Sequence, residues 1–393
     1  MMGGLPTRIL AVATNPETGA STRFRILQWA PSLERAGFSL TLDAFFSCQG
    51  AQTLYQSGHV LSKLGYCLEG TMRRRASLQH AAEVADLLFI HREVFPLGRK
   101  LFFKSLKKFS GPIVYDYDDA MFLPQRQSRG LLSRLEVLDA PKDVMQLSDL
   151  VLAGNPFLAE YARRYARRVV HLPTCIDTDQ FHPIPRGDGA LPLRVGWIGS
   201  HSTAKYFMSL GPMLEHTASR HPFRVYVVGN PTALRLTGID VEEVPWSLER
   251  EVEDFQRCDI GLYPLGNDAW AQGKCGFKAI QFMACGVPVV ASAIGVNCDI
   301  IRDGVNGFLA ATEDEWIEKL GRLLSDAALR QRLGRAGRRT VEERYSVAVN
   351  AATFLASLCE AAERKRRRAA AQLGSQDAGE RQPVTVSVGP NGV

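Results

Sequence analysis

No two cysteines in this chain have the Cys-x-x-Cys spacing of a zinc or redox site, although there are eight of them: Cys48, Cys67, Cys175, Cys258, Cys275, Cys285, Cys298 and Cys359. Thiols scattered in this way argue against a metal centre and a dense disulfide framework, and they fit a reducing compartment. No apolar run approaches the roughly 20 residues that span a bilayer, and no N-terminal segment couples a basic start to a long apolar stretch, so the expected location is the cytoplasm. Two nucleotide-binding fingerprints are also missing. A dinucleotide site needs Gly-x-Gly-x-x-Gly after the first strand, where NPETGAST supplies one glycine. A P-loop needs Gly-x-x-x-x-Gly-Lys-[Ser/Thr], and around Gly273 and Lys274 the first glycine is replaced by Asp268 and the hydroxyl by Cys275. Charge of one sign is in small excess, 47 Lys/Arg against 41 Asp/Glu. The basic run ERKRRR at 363–368 therefore reads as a solvated helix end, and no nucleic-acid partner is expected.

What is present is a chain of 393 residues, 46% hydrophobic, which suits two ordinary domains. Strand-like runs at 8–14, 38–46, 86–92, 112–118, 149–154 and 168–173 alternate with helical patterns. After a Pro-, Gly- and Asp-rich stretch at 173–192 the alternation restarts, with strands at 193–199, 223–229, 259–264, 287–292 and 307–310. Short apolar strands between amphipathic helices imply mostly parallel sheets covered on both faces. The expected architecture is thus α/β, two tandem Rossmann-like domains with a ligand cleft between them: residues 1–185, 186–345, a C-terminal helix at 346–368, and a disordered tail at 369–393.

Residues 1–185 hold 22 Lys/Arg and 17 Asp/Glu, most of the net +6. Arg99, Lys100, Lys104, Lys107 and Lys108 lie among Leu97, Leu101, Phe102, Leu106 and Phe109 at helical spacing, a basic amphipathic helix. Its plain role is a core-facing stripe with solvated lysines; the alternative is peripheral contact with an anionic membrane or lipid-linked acceptor.

In open α/β sheets, ligands sit beyond the carboxyl ends of the strands. After 193–199, Gly199 permits close backbone approach, Ser200 and Ser202 offer hydroxyls and Lys205 a cation, a set that suits a diphosphate, although such serines also serve as N-caps. Gly229 ends the next strand. Further on, Gly273 leads into KCGFKAIQFMA, read as a helix that starts with Lys274, Cys275, Gly276 and Phe277. Lys274 and Lys278 then share a face at the end where the dipole disfavours cations, an inconsistency that a bound polyphosphate would remove. In the first half, VYDYDDAMF sets Asp116, Asp118 and Asp119 at a strand end, with His91, Arg92 and Glu93 ending the strand before. Proton transfer or metal binding, or a capping aspartate with solvated neighbours, would account for them. Gly19, Ser21, Arg23 and Arg25 form a loop placed to close over the same cleft.

The stretch KAIQFMACGVPVVASAIGVNCDIIRDGVNGFL resembles the signature region of family 4 (group 1) GT-B-fold glycosyltransferases. The likeness covers about residues 190–350 well, and residues 1–185 as a pattern. It implies transfer of a hexose from a UDP- or GDP-sugar to a glycan or lipid-linked acceptor hydroxyl with retention. No cofactor or metal is implied. The second domain would hold the donor through the backbone at Gly199, Lys205, the amides of Cys275 to Phe277, and Gln281. The family often carries Glu-x7-Glu where this chain has Gly273 and Gln281. Gln281 can accept one and donate one hydrogen bond to ribose hydroxyls, whereas Gly273 offers no acceptor. A catalytically silent nucleotide-sugar or glycan binder, or a GT-B-fold nucleotide-sugar epimerase, would share these features.

Overall fold

The computed structural model describes residues 7–54, 56, 58–96, 102–123, 140–185, 192–229 and 235–380, the side chains of 140, 201, 202 and 369–380 aside. The first sheet contains β1 (Thr7–Ala13), β2 (Phe38–Ala44), β3 (Leu87–His91), β4 (Ile113–Tyr117), β5 (Leu150–Ala153) and β6 (Val169–His171), in the order β2-β1-β3-β4-β5-β6. The second contains β7 (Leu193–Ile198), β8 (Phe223–Val228), β9 (Asp240–Val244), β10 (Ile260–Tyr263), β11 (Val289–Ser292) and β12 (Phe308–Ala310), in the order β12-β11-β10-β7-β8-β9. All pairings between these strands are parallel. The reason is local: β3, β4, β5, β10 and β11 are buried at every position, as strands with helices on both faces must be. Both sheets switch direction of progression beside their first strand, so the loops at the carboxyl ends of β1, β3, β4, β7 and β10 gather at the crevice.

The two halves interlock. Phe24, from the Ala20–Arg25 helix, joins the apolar cluster of the second domain, with its ring 4.5 Å from Phe277 and 6.0 Å from Phe181. Cys275 does the reverse and packs in the cluster of the first domain. The last helix, Val347–Glu380, lies on the first sheet, where Phe354 stacks on Trp29 at 4.6 Å. It runs twelve residues past the expected end at 368, so the disordered tail cannot begin at 369; residues 381–393 lie outside the described residues. The β9 strand, DVEEV, has no expectation behind it, because its three acids and two valines at a sheet edge lack the apolar run that marked the others. The basic segment at 97–109 yields a shorter helix, Phe103–Lys108, with Phe102, Leu106 and Phe109 buried and Lys104, Lys107 and Lys108 exposed; Arg99, Lys100 and Leu101 lie outside the described residues.

Candidate functional site

The crevice is closed along a seam where β4 and β5 of the first domain end against the loop Gln272 to Gly276 of the second. Asn155 caps the Pro156–Arg163 helix through its Oδ1, accepting from Leu158 N–H at 2.7 Å. Its amide nitrogen crosses the seam to the carbonyls of Gln272 (3.2 Å) and Lys274 (2.9 Å). Lys274 Nζ pairs with Asp119 Oδ2 at 2.9 Å and lies 4.6 Å from the Trp270 ring, and Cys275 Sγ donates to the Asp118 carbonyl at 3.2 Å. The packing is tight at two glycines. A Cβ on Gly273 would stand 2.4 Å from Ala120 Cβ, and one on Gly154 would stand 2.6 Å from Cys275 Sγ.

Beneath the seam runs a buried chain of charges. His91 Nδ1 meets Asp116 Oδ2 at 2.7 Å, and Asp116 also takes a two-pronged pair from the guanidinium of Arg25, which is itself 1% exposed. Arg25 further donates to the Leu172 carbonyl at 3.0 Å. Arg25 was expected on the cleft loop; instead it is a buried tie that keeps β4 charged. Asp118 Oδ1 takes Arg92 Nε at 2.6 Å and stands 3.8 Å from His91 Nε2. Burial would raise the Asp118 carboxyl, but Arg92 and then His91 outweigh it and hold the group well below the usual carboxylate range. Asp116 follows the same logic, with burial opposed by Arg25 and His91. Arg92 adopts φ 60°, a left-handed conformation uncommon for a non-glycine residue, and so presents its guanidinium to both Asp118 and Asp119. The three aspartates are thus each neutralised, and no group of metal-ligating side chains occurs among the described residues. His91 Nε2 remains buried without a hydrogen-bond partner.

A second cluster lies where the Ala20–Arg25 helix meets the Phe277–Ala284 helix. Arg23 Nη1 bridges the domains to Glu251 Oε2 at 2.7 Å, while its Nε and Nη2 are buried without partners. Lys278 Nζ donates to Gln281 Oε1 at 2.8 Å and lies over the Phe255 ring at 5.1 Å. Gln281 is fully buried, and its Nε2 has no acceptor. Burial pushes the Lys278 ammonium down to about 8; Glu251 opposes this and Arg23 reinforces it. The amides of Cys275, Gly276 and Phe277 donate to no group among the described residues. Donors therefore outnumber acceptors at the start of a helix, the condition an anion satisfies.

The geometry corrects three expectations. The helix begins at Phe277, with Gly276 at its N-cap at φ 67°, so Lys274 precedes it and does not share a face with Lys278. Each lysine has its own neighbours, an aspartate across the seam for one and a glutamine one turn away for the other. Gly199 does not offer its N–H, which is spent on the Val228 carbonyl at 3.1 Å. Ser200 is the N-cap of the His201–Met208 helix, its N–H donating to Thr203 Oγ1 at 3.4 Å. Lys205 is exposed and lies 4.6 Å from the Tyr206 ring, whose hydroxyl donates to Asp268 at 2.8 Å. Gly229, at φ 96°, lets β8 turn against the Gly199 carbonyl, where a Cβ would stand 2.5 Å away. Gly19 precedes the Ala20–Arg25 helix, and Ser21 takes a hydrogen bond from Asn15 at 3.3 Å on the same rim.

Reasoning from the sequence missed Glu251, Asn155 and Trp246. Trp246 is 39% exposed, borders Gly229 and lies 5.9 Å beneath the Arg23 guanidinium. Trp246 follows β9, a strand the sequence did not mark, so no sequence signal pointed to it. A pocket of about 250 Å³ also opens on the seam beside Gly154, His171, Cys275, Arg344 and Tyr345, too small for a nucleotide sugar.

Two parallel-sheet Rossmann-like domains facing one another across a seam define a GT-B fold. Residues 192–326 match the family model described as Glycosyl transferases group 1. Among curated proteins, the D-inositol 3-phosphate glycosyltransferase of Xylanimonas cellulosilytica is 32% identical over 31% of this chain and 28% of its own length; that of Geodermatophilus obscurus is 26% identical over 38% of each. The chain thus matches well under half of these relatives. Among solved structures, sucrose-phosphate synthase from Thermosynechococcus elongatus superposes with a TM-score of 0.63 over 88% of this chain and 97% of its own, at 16% identity. Anabaena HepE in complex with UDP and glucose gives 0.60 over 90% and 99%, at 15% identity. At such identities the likeness is one of fold.

Proposed function

We propose that the protein is a retaining glycosyltransferase of family 4 that moves a hexose from a UDP- or GDP-sugar to an acceptor hydroxyl. Acceptors would be glycans or lipid-linked saccharides of envelope polysaccharide assembly, on the cytoplasmic side. The observation that carries this is the excess of buried donors around Arg23, Lys278, Gln281 and the free amides of Cys275 to Phe277. A diphosphate supplies the missing acceptors, and its charge makes the ammonium of Lys278 favourable again. As the bond from the anomeric carbon to the diphosphate breaks, negative charge grows on the leaving oxygen. Preorganised donors stabilise that growth without a protein nucleophile or a metal.

The remaining parts follow from position. Trp246 offers a face to the base, and Gln281 exchanges Lys278 for ribose hydroxyls. Lys274 and Asp119 flank the sugar, Gly199, Ser200, Lys205 and Gly229 form the outer wall of the donor site, and Gly19 and Ser21 close it from the first domain. His91 Nε2, set by Asp116 and adjacent to Asp118, hydrogen-bonds a sugar or acceptor hydroxyl. The test follows nucleoside diphosphate release from a panel of UDP- and GDP-sugars with and without extracted acceptor. Acceptor-dependent release is expected. Tight donor binding without release would mark a silent binder, and conversion of donor without acceptor would mark an epimerase.

A further inference from the structure

The helix Val60–Gln79 exposes an apolar stripe that the fold does not cover. Leu61 is 85% exposed, Val60 66%, Met72 65%, Leu68 63% and Leu64 61%, and on a helix these positions fall within about 120° of arc. Isolated exposed leucines need no explanation, but a continuous stripe marks a surface that something covers. The opposite face is fixed. Gly70 packs on Phe45, and the buried guanidinium of Arg74 donates to the Ala13 carbonyl (2.6 Å), to Asp43 Oδ2 (2.7 Å) and to the Val94 carbonyl. Those partners lie at or just past the carboxyl ends of β1, β2 and β3, so the stripe is mounted on the rim of the crevice, its inner face tied down and its apolar face in solvent.

The surroundings of the stripe are basic. Arg75 continues it one turn beyond Met72, and the neighbouring Phe103–Lys108 helix presents Lys104, Lys107 and Lys108 to solvent. Apart from the buried Arg74, which Asp43 pairs, the two helices hold Lys63, Arg73, Arg75 and these three lysines against one carboxylate, Glu69. No helix among the described residues is long and apolar enough to cross a membrane, so any contact is lateral. We propose that this stripe and its cations dock the protein on an anionic lipid bilayer, the leucines in the acyl boundary and the lysines among the headgroups. Docking there holds the crevice rim against the membrane. The proposal does not depend on the donor reading.

The test is sedimentation of the full chain with vesicles of phosphatidylcholine alone or mixed with phosphatidylglycerol. The wild type is expected to bind the mixed vesicles, and to bind them more weakly as salt is raised. Leu64→Gln/Leu68→Gln should lower the partition at least about tenfold. Lys104→Gln/Lys107→Gln/Lys108→Gln should abolish the preference for phosphatidylglycerol. Unchanged thermal midpoints and unchanged UDP or GDP binding in both variants keep this test separate from that of the donor site. Absence of wild-type binding, or equal binding to both vesicles with no salt dependence, would overturn the proposal. So would self-association of the wild type that the leucine variant abolishes without any vesicle binding, since the stripe would then be an interface between copies.

Discussion

Replacing Lys278 by methionine is expected to strengthen the fold while weakening the site. Burial pushes this ammonium down to about 8 from the 10.5 of a solvated lysine. With each pH unit of displacement worth about 1.4 kcal/mol, holding the charge costs the unliganded fold at most about 3.5 kcal/mol. The side chain is only partly buried and its Nζ reaches Gln281, so water and that amide return part of the cost, and about 1–2 kcal/mol is the expected gain near pH 7. Since a depressed lysine is penalised only while protonated, the gain should be full below about pH 8, shrink as the pH rises, and vanish above 10.5. Binding should move the other way. Nucleoside diphosphate affinity should fall about 10- to 100-fold in the variant. In the wild type it should decline above about pH 8, by no more than about tenfold per pH unit. Urea unfolding followed by tryptophan fluorescence across that pH range, with UDP and GDP titrations on the same samples, measures both. A variant destabilised at neutral pH, or stabilised equally at every pH, would refute the burial argument, and unchanged nucleotide affinity would refute the site.

Gly273→Ala drives a methyl into Ala120 and should cost about 1–3 kcal/mol at the seam; Ala120→Gly in the same chain should recover most of it, a coupling that a double-mutant cycle in urea measures. Asp116→Asn leaves the Arg25 guanidinium buried without its carboxylate and should cost about 3–5 kcal/mol, read from the same unfolding curves. Gly276→Ala meets both a positive φ and Ile300 Cδ1 at 2.2 Å; it should shift the start of the Phe277–Ala284 helix and weaken UDP or GDP binding at least about tenfold, measured by calorimetry.

Most of the fold is legible in the sequence because buried parallel strands are apolar at every position. Runs such as LLFIH, IVYDY and VVAS leave little choice of element. The DVEEV strand escaped because a sheet edge tolerates a majority of acids, a composition that a solvated loop shares. Of the residues expected at the site, Arg23, Lys278 and Gln281 are brought together, while Lys205 stands exposed beside Tyr206. What the sequence withheld was pairing across 228 residues, the separation of Arg23 and Glu251, and the register of one helix. The periodicity of KCGFKAIQFMA is equally good from Lys274 or Phe277; the left-handed Gly276, wedged against Ile300, decides it.

That helix start also bears on the glycine at 273, which against the family pattern reads as a lost glutamate. In three dimensions it is a packing requirement. The first domain brings Ala120 to within 2.4 Å of where a Cβ would stand, and the same approach lets Asp119 reach Lys274 and Asn155 reach the carbonyls of Gln272 and Lys274. No side chain can be added at 273 without parting these contacts, and the carboxylate that pairs with the loop's lysine comes from the opposite domain. Asp119 is held there by a lysine of the loop itself. The departure at 273 and the charges at 119 and 274 are therefore one arrangement: the seam closes where the family pattern places a glutamate, and the space that closure removes is matched by an ion pair that closure makes.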